Sequence, residues 1–288
     1  MRCLSWLQCL KPAWARCQWV GPCTWLVCAS TGAHGQVAPL LEASYAGRPA
    51  LVYVPTTLAP SGSRALVVVL HGGLGNAQRI ATRTHEGGLN MNAVAEEGGF
   101  VVAYLNGTPV ARLLGADKLG WNAGNCCGLP AQTQVNDVAY IESAVQTIAR
   151  QQGVDPRRIY GVGHSNGAMM TQRVMCESSL YAAAVPISGA LESGSARCPA
   201  ARGKRLMALH GENDQNVPMS GGQGSKGLSR TSYQSQASTA TVWQNSGASY
   251  DLQVIKDADH SVDAIARQIA TSESTTLSRK LARFFGLI

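Results

Sequence analysis

The stretch "RIYGVGHSNGAMM" (158–170) carries an apolar run into a serine bracketed by Gly163 and Gly167. A strand that ends in G-x-S-x-G and continues into a helix-forming segment is the sequence form of a nucleophile elbow, where a serine sits on a strained turn with its hydroxyl exposed. The positions two residues either side must be small, because side chains there would meet the adjoining strand and helix. The five-residue pattern is short, and the chain holds 31 glycines. The remaining sequence must therefore supply a base, an acid and an oxyanion pocket in a workable order.

Working outward, "ALVVVL" (65–70) and "GFVVAYL" (99–105) are apolar without alternation, as expected of central strands covered on both faces. "LVYVP" (51–55) reads as a strand ended by Pro55 and paired with "LLEASY" (40–45) across a turn at Ala46 and Gly47. In "VNDVAYIESAVQTIARQQG" (135–153) Val135, Val138, Ile141, Val145 and Ile148 recur at helical spacing and the run stops at Gly153. There follow the strand into the elbow, a helix from Asn166, strands at "AAAVPIS" (182–188) and "RLMALHG" (205–211), and a helix near 234–245. "YDLQVI" (250–255) and a closing helix in "STTLSRKLARFFGLI" (274–288) complete the series. Strands alternating with amphipathic helices predict an α/β fold, a mostly parallel central sheet with helices on both faces. In such sheets the active site lies at the carboxyl ends of the strands.

The suggestive residues collect at those ends. "HGGLGNA" (71–77) follows the first central strand, and Gly72 and Gly73 let the backbone turn tightly and aim N–H groups into a pocket. A phosphate loop is the competing reading, but G-x-G-x-x-G fails because position 78 here, and position 166 at the elbow, are not glycine. Asp214 sits in "HGENDQNVP" (210–218), and His260 follows "YDLQVIKDAD". The order Ser165, Asp214, His260 is that of the α/β-hydrolase fold. His260 would take the serine proton, Asp214 would fix its tautomer, and N–H groups of Asn166 and of Gly73 or Leu74 would hold the oxyanion. Glu212 and Asp257 stand near enough in sequence to replace Asp214, and Asp259 could do so only through a local contact. His71 and His210 read as structural, and His164 is expected to point sideways from the elbow.

"LVVVLHGGLGNA", "GWNAGNCCG" (120–128), "VNDVAYI", "DPRRIYGVGHSNGAMM", "VMCE" and "HGENDQNVPMSGG" together resemble the polyhydroxybutyrate-depolymerase-like esterases, a group that includes feruloyl and acetyl xylan esterases. The resemblance covers roughly residues 40 to 265. It implies a secreted serine esterase with neither metal nor organic cofactor, its triad matching Ser165, Asp214 and His260. It also matches Cys126, Cys127, Cys176 and Cys198 to disulfide cysteines, and it places Trp121 and Asn122 near the site. With His164 these are the candidate substrate-binding residues. The sequence departs from the pattern at "DADHSVD", which lacks the tryptophan that often follows the base in relatives.

Composition narrows the alternatives. Charged residues are only 14% of the chain, and the formal charge of +7 is scattered. Arg2, Lys11 and Arg16 lie in a leader (1–35) that has no acidic residue, four of the six Trp and five of the nine Cys. No basic face for nucleic acid is expected. The leader reads as a secretory signal released near Gly35, its rival being a misplaced start codon, and residues 36–288 as a single catalytic domain. No apolar run reaches membrane length, so no membrane partner is expected. The four cysteines outside the leader suit two disulfides in an oxidising compartment. Pairing adjacent Cys126 and Cys127 would strain the peptide between them, so each is expected to reach one of Cys176 and Cys198. Four buried thiols are the alternative. C-x-x-C and H-E-x-x-H are absent, which leaves zinc without support. A monomer acting on soluble short-chain or phenolic esters is expected, because the chain closes on a helix of the catalytic domain with no surface-binding module. Polyester depolymerisation, a serine peptidase and a non-catalytic binding protein are the competing functions.

Overall fold

An eight-stranded sheet forms the centre of the computed structural model, which describes residues 40–227 and 229–288. The expected leader (1–35) lies outside the described residues. The strands are β1 (Leu40–Tyr45), β2 (Arg48–Tyr53), β3 (Arg64–Leu70), β4 (Val101–Leu105), β5 (Val154–His164), β6 (Ala183–Ile187), β7 (Arg205–Gly211) and β8 (Ser249–Ile255). Their spatial order is β1-β2-β4-β3-β5-β6-β7-β8. β2 runs antiparallel to both β1 and β4, and every other neighbouring pair is parallel. The first hairpin turns at Ala46 and Gly47, both with positive φ. Parallel neighbours need crossovers, and the helices supply them.

Those helices are α1 (Asn92–Gly98), α2 (Asp137–Gln152), α3 (Asn166–Glu177), α4 (Gln236–Asn245), α5 (Val262–Glu273) and α6 (Leu277–Phe284). The unbroken apolar strands reflect burial on two sides. Leu66, Val68 and Leu70 of β3 pack with Ile141, Val145 and Ile148 of α2, Met169 and Val174 of α3, and Trp243 of α4. Val67 and Val69 face the opposite way, into a layer with Val94 of α1, Ile265 and Ile269 of α5, and Leu277 and Leu281 of α6. Each such side chain contributes about 1.5–3 kcal/mol of burial free energy, so the two layers fix the sheet and its loops together.

Two local expectations change. The helical run starting at Val135 begins instead at Asp137, because Asn136 caps it by accepting from Ala139 N. It ends as expected at Gly153, which takes the left-handed conformation at φ 62°. Helix α5 was not anticipated between β8 and the closing helix; Ser261 caps it, its Oγ accepting from Ala264 N.

The cysteine pairing is a correction. Cys176 bonds to Cys198 (S–S 2.07 Å), so neither cysteine of the "NCCG" loop reaches Cys176 or Cys198. Cys176 lies on α3, against which the turn opened by Cys198 packs, leaving the two sulfurs to meet each other.

Candidate active site

Ser165 ends β5 and begins α3 with φ 53° and ψ −121°, a backbone conformation that non-glycine residues rarely adopt. Neighbouring elements hold it there. Ser165 N donates to Ile187 O of β6 at 2.8 Å, and a side chain on Gly167 would collide with the carbonyl oxygens of Leu70 and His71. A side chain on Gly163 would meet the carbonyl of Gly167. Both glycines of the motif are therefore required by close backbone approach.

Three loops converge on this serine. His260 Nε2 lies 2.9 Å from Ser165 Oγ, and His260 Nδ1 lies 2.8 Å from Asp214 Oδ2. Asp214 Oδ1 accepts from Asn216 N and Val217 N at 2.8 and 2.9 Å, and His210 Nε2 approaches Oδ2 at 3.1 Å. Burial works against the Asp214 charge, but the bonds to His210, His260 and Val217 N outweigh it and hold the carboxyl far below the usual range. Asp214 is thus an anion across ordinary pH, and its charge faces Nδ1–H of His260. That leaves Nε2 of His260 as the proton acceptor toward Ser165. Glu212, the neighbouring acid, is exposed and accepts from Asp257 N, away from His260.

The three N–H groups expected to hold an oxyanion differ in what they already meet. Leu74 N donates to Leu119 O at 2.8 Å and is already occupied. Leu74 therefore drops out, because the ribbon formed by Thr108–Pro109 and Leu119–Gly120 takes its N–H. Gly73 N and Asn166 N have no acceptor among the described residues, and a side chain on Gly73 would reach the Asn166 Cβ at 3.8 Å. Asn166 N belongs to the first turn of α3, where N–H groups lack intrahelical partners and favour negative charge.

The three residues expected to bind substrate are placed otherwise. Trp121 is fully buried, its Nε1 donating to His71 O at 2.9 Å and its ring near those of His71 and Tyr140. Asn122 gives its N–H to Asp137 and its Nδ2 to Val135 O, and its Oδ1 accepts from Gly124 N. All its polar groups are spent on the loop. His164 points sideways, buried, with Nδ1 2.6 Å from Glu86 Oε1 and Nε2 2.8 Å from His260 O. These are braces, because none offers a free polar atom to a ligand. His71 and His210 are buried with both ring nitrogens partnered.

An eight-stranded sheet of this order, with the serine on its strand–helix turn and the acid and histidine following later strands, decides the fold. The chain has the α/β-hydrolase fold. No family model matches it. The chain is 27% identical over 179 residues to feruloyl esterase B of Piromyces equi, a match covering 61% of this chain and 31% of that protein. It is also 27% identical over 170 residues to the bifunctional acetylxylan esterase/xylanase XynS20E of Neocallimastix patriciarum, covering 59% and 22%. The match thus spans under a third of either relative's length. Among solved structures, an acetyl xylan esterase from Aspergillus awamori superposes with a TM-score of 0.55 at 16% identity, covering 87% of this chain and 100% of that structure. No helix among the described residues is long and apolar enough to cross a membrane.

Proposed function

We propose that the protein is a secreted serine carboxylesterase that acts through an acyl-enzyme. The observation that carries this reading is the unbroken line Ser165 Oγ, His260, Asp214 at 2.9 and 2.8 Å, beside the free N–H groups of Gly73 and Asn166. Ser165 Oγ attacks the ester carbonyl as its proton passes to His260 Nε2. The carbonyl oxygen becomes an oxyanion held by Gly73 N and Asn166 N. Collapse expels the alcohol, which receives the proton from His260, and water then repeats the sequence on the acyl-serine. No metal or organic cofactor enters these steps.

The relatives' names, a feruloyl esterase and an acetylxylan esterase, support a substrate class of feruloyl and acetyl esters. Soluble short-chain and phenolic esters are the proposed substrates, turned over by a monomer; depolymerisation of polyesters is the alternative. Secretion fits the Cys176–Cys198 disulfide, with residues 1–35 as the signal and 36–288 as the catalytic domain. Parallel assays on para-nitrophenyl acetate, methyl ferulate and polyester film test the proposal. Release from both soluble esters, faster than from film at equal enzyme, is expected. Film hydrolysis outpacing both would favour the polyester alternative, and no turnover of any of them would refute the esterase reading.

A further inference from the structure

A second buried acid–histidine contact lies directly behind the triad. Glu86 is 4% exposed and its backbone is left-handed, at φ 54°. Its carboxylate accepts from Gly72 N with both oxygens at 3.1 Å and meets His164 Nδ1 at 2.6 Å. On the other edge of the ring, His164 Nε2 lies 2.8 Å from the main-chain oxygen of His260, and the two imidazole centroids are 4.9 Å apart. One carboxylate and one ring therefore join the oxyanion loop, the residue before the nucleophile and the loop of the general base.

The acceptor on its far side places the first proton of His164. A carbonyl oxygen only accepts, so His164 Nε2 carries a proton. Glu86 already accepts from Gly72 N, and an ionised carboxylate requires a second proton on His164 Nδ1. Burial opposes both charges, but the hydrogen bond and attraction between the partners outweigh it, holding Glu86 below and His164 above their ordinary ranges. The loop carrying His260 needs such a support, because Asp257, Asp259 and Ser261 around it are exposed.

We propose that Glu86 and His164 form a buried ion pair that positions His260, through its carbonyl oxygen, against the Gly72–Gly73 turn, keeping base and oxyanion donors in one geometry. This assignment rests on the esterase reading for the roles it couples. Both are positioning residues, since neither reaches the reacting atoms. The charged or titratable groups around the pair are His71 beside Glu86, Asp214 and His260 beside His164, and His210 and Asp259 around His260.

The test combines kinetics with nitrogen NMR of histidine-labelled, full-length protein, comparing wild type, Glu86→Gln and His164→Gln. Wild-type His164 should show both ring nitrogens protonated across roughly pH 6 to 8. Glu86→Gln should leave it singly protonated and, by removing a neighbouring cation, move the His260 titration midpoint upward. In the same variant kcat on para-nitrophenyl acetate should fall ~10- to 100-fold, with KM little changed. A neutral His164 in the wild type would overturn the ion pair. Wild-type kcat with an unmoved His260 midpoint in Glu86→Gln would overturn the positioning role, even if the variant melts at lower temperature. If Glu86→Gln does not fold, the wild-type His164 signal and the kcat of His164→Gln decide. An active-site histidine signal that behaves as expected in a protein hydrolysing no ester would instead count against the esterase reading alone.

Discussion

The side-chain amide of Asn166 closes on both backbone polar groups of Trp121: Oδ1 accepts from Trp121 N at 2.7 Å and Nδ2 donates to Trp121 O at 3.1 Å. The residue after Ser165 is thereby tied by its side chain to the "WNAGNCCG" loop while its N–H has no acceptor among the described residues. Arg173 Nη1 and Glu192 O hold the same loop from two further sides, bonding to Asn122 O and Asn125 N at 2.9 Å each.

Asn166→Ala should therefore damage stability and catalysis together. It leaves the buried N–H of Trp121 unpaired, while Trp121 O keeps its bond from Cys127 N, a loss on the order of 1–3 kcal/mol. Freed from its clamp, the Asn166 N–H should hold the oxyanion less well, lowering kcat about tenfold or more. Chemical denaturation and para-nitrophenyl acetate kinetics check both. Unchanged stability would show that the clamp carries nothing.

The architecture was legible because its signals are local. Unbroken apolar strands, the elbow glycines and the order of Ser165, Asp214 and His260 each follow from a short stretch of chain. Glu86 was not legible, since its partner His164 is 78 positions away and no periodicity marks a carboxylate buried in a loop. Trp121 and Asn122 were expected to bind substrate, whereas their side chains bond to the protein's own backbone. Proximity in sequence does not say on which side of a loop a side chain leaves, and here both turn inward. The cysteines erred for a comparable reason, because nothing in the sequence says that the turn opened by Cys198 packs on the helix carrying Cys176.

Hydrolysis should rise with pH as His260 loses its proton, because only the neutral imidazole accepts from Ser165. Burial is the largest influence on His260 and lowers its pKa; the bond to Asp214 opposes this and nearby His164 reinforces it, leaving a net downward shift. The acid limb of kcat/KM should accordingly have its midpoint below the ordinary imidazole value of about 6.5. A midpoint above about 7 would contradict the buried, His164-flanked setting of the base.

Glu192 offers a stability test of opposite sign. It is fully buried, Oε1 accepts from Gln234 N, and Oε2 has no partner among the described residues. Burial pushes its carboxyl up to about 7, against the bonds from Gln234 and Asn125. The folded state thus holds a proton that the unfolded chain releases above about pH 4.3, so a penalty grows between there and about pH 7. Glu192→Gln removes it. The variant should gain stability relative to wild type at pH 8, on the order of 3 kcal/mol at most, and much less at pH 5. An equal difference at both pH values would show that Glu192 does not titrate in this range.

Loss of the Cys176–Cys198 bond should be felt mainly in stability. It closes a loop over a sequence separation of 22, for which the chain-entropy account gives about 3 kcal/mol. Cys176→Ala with Cys198→Ala should lower the unfolding free energy by that order and leave KM unchanged. Peptide mapping without reduction should recover residues 176 and 198 in one linked pair; a peptide joining either to the "NCCG" loop would contradict the connectivity.

The nucleophile is the centre of the account, and covalent labelling tests it most directly. Treated with a serine-directed phosphonate, the protein should gain one adduct, mapped by mass spectrometry to Ser165, with ester hydrolysis lost in proportion to labelling. Ser165→Ala should take no label, remain folded and lose on the order of 10⁴-fold or more in turnover. An adduct on another residue, or a purified Ser165→Ala protein retaining about a tenth of wild-type hydrolysis, would contradict the account.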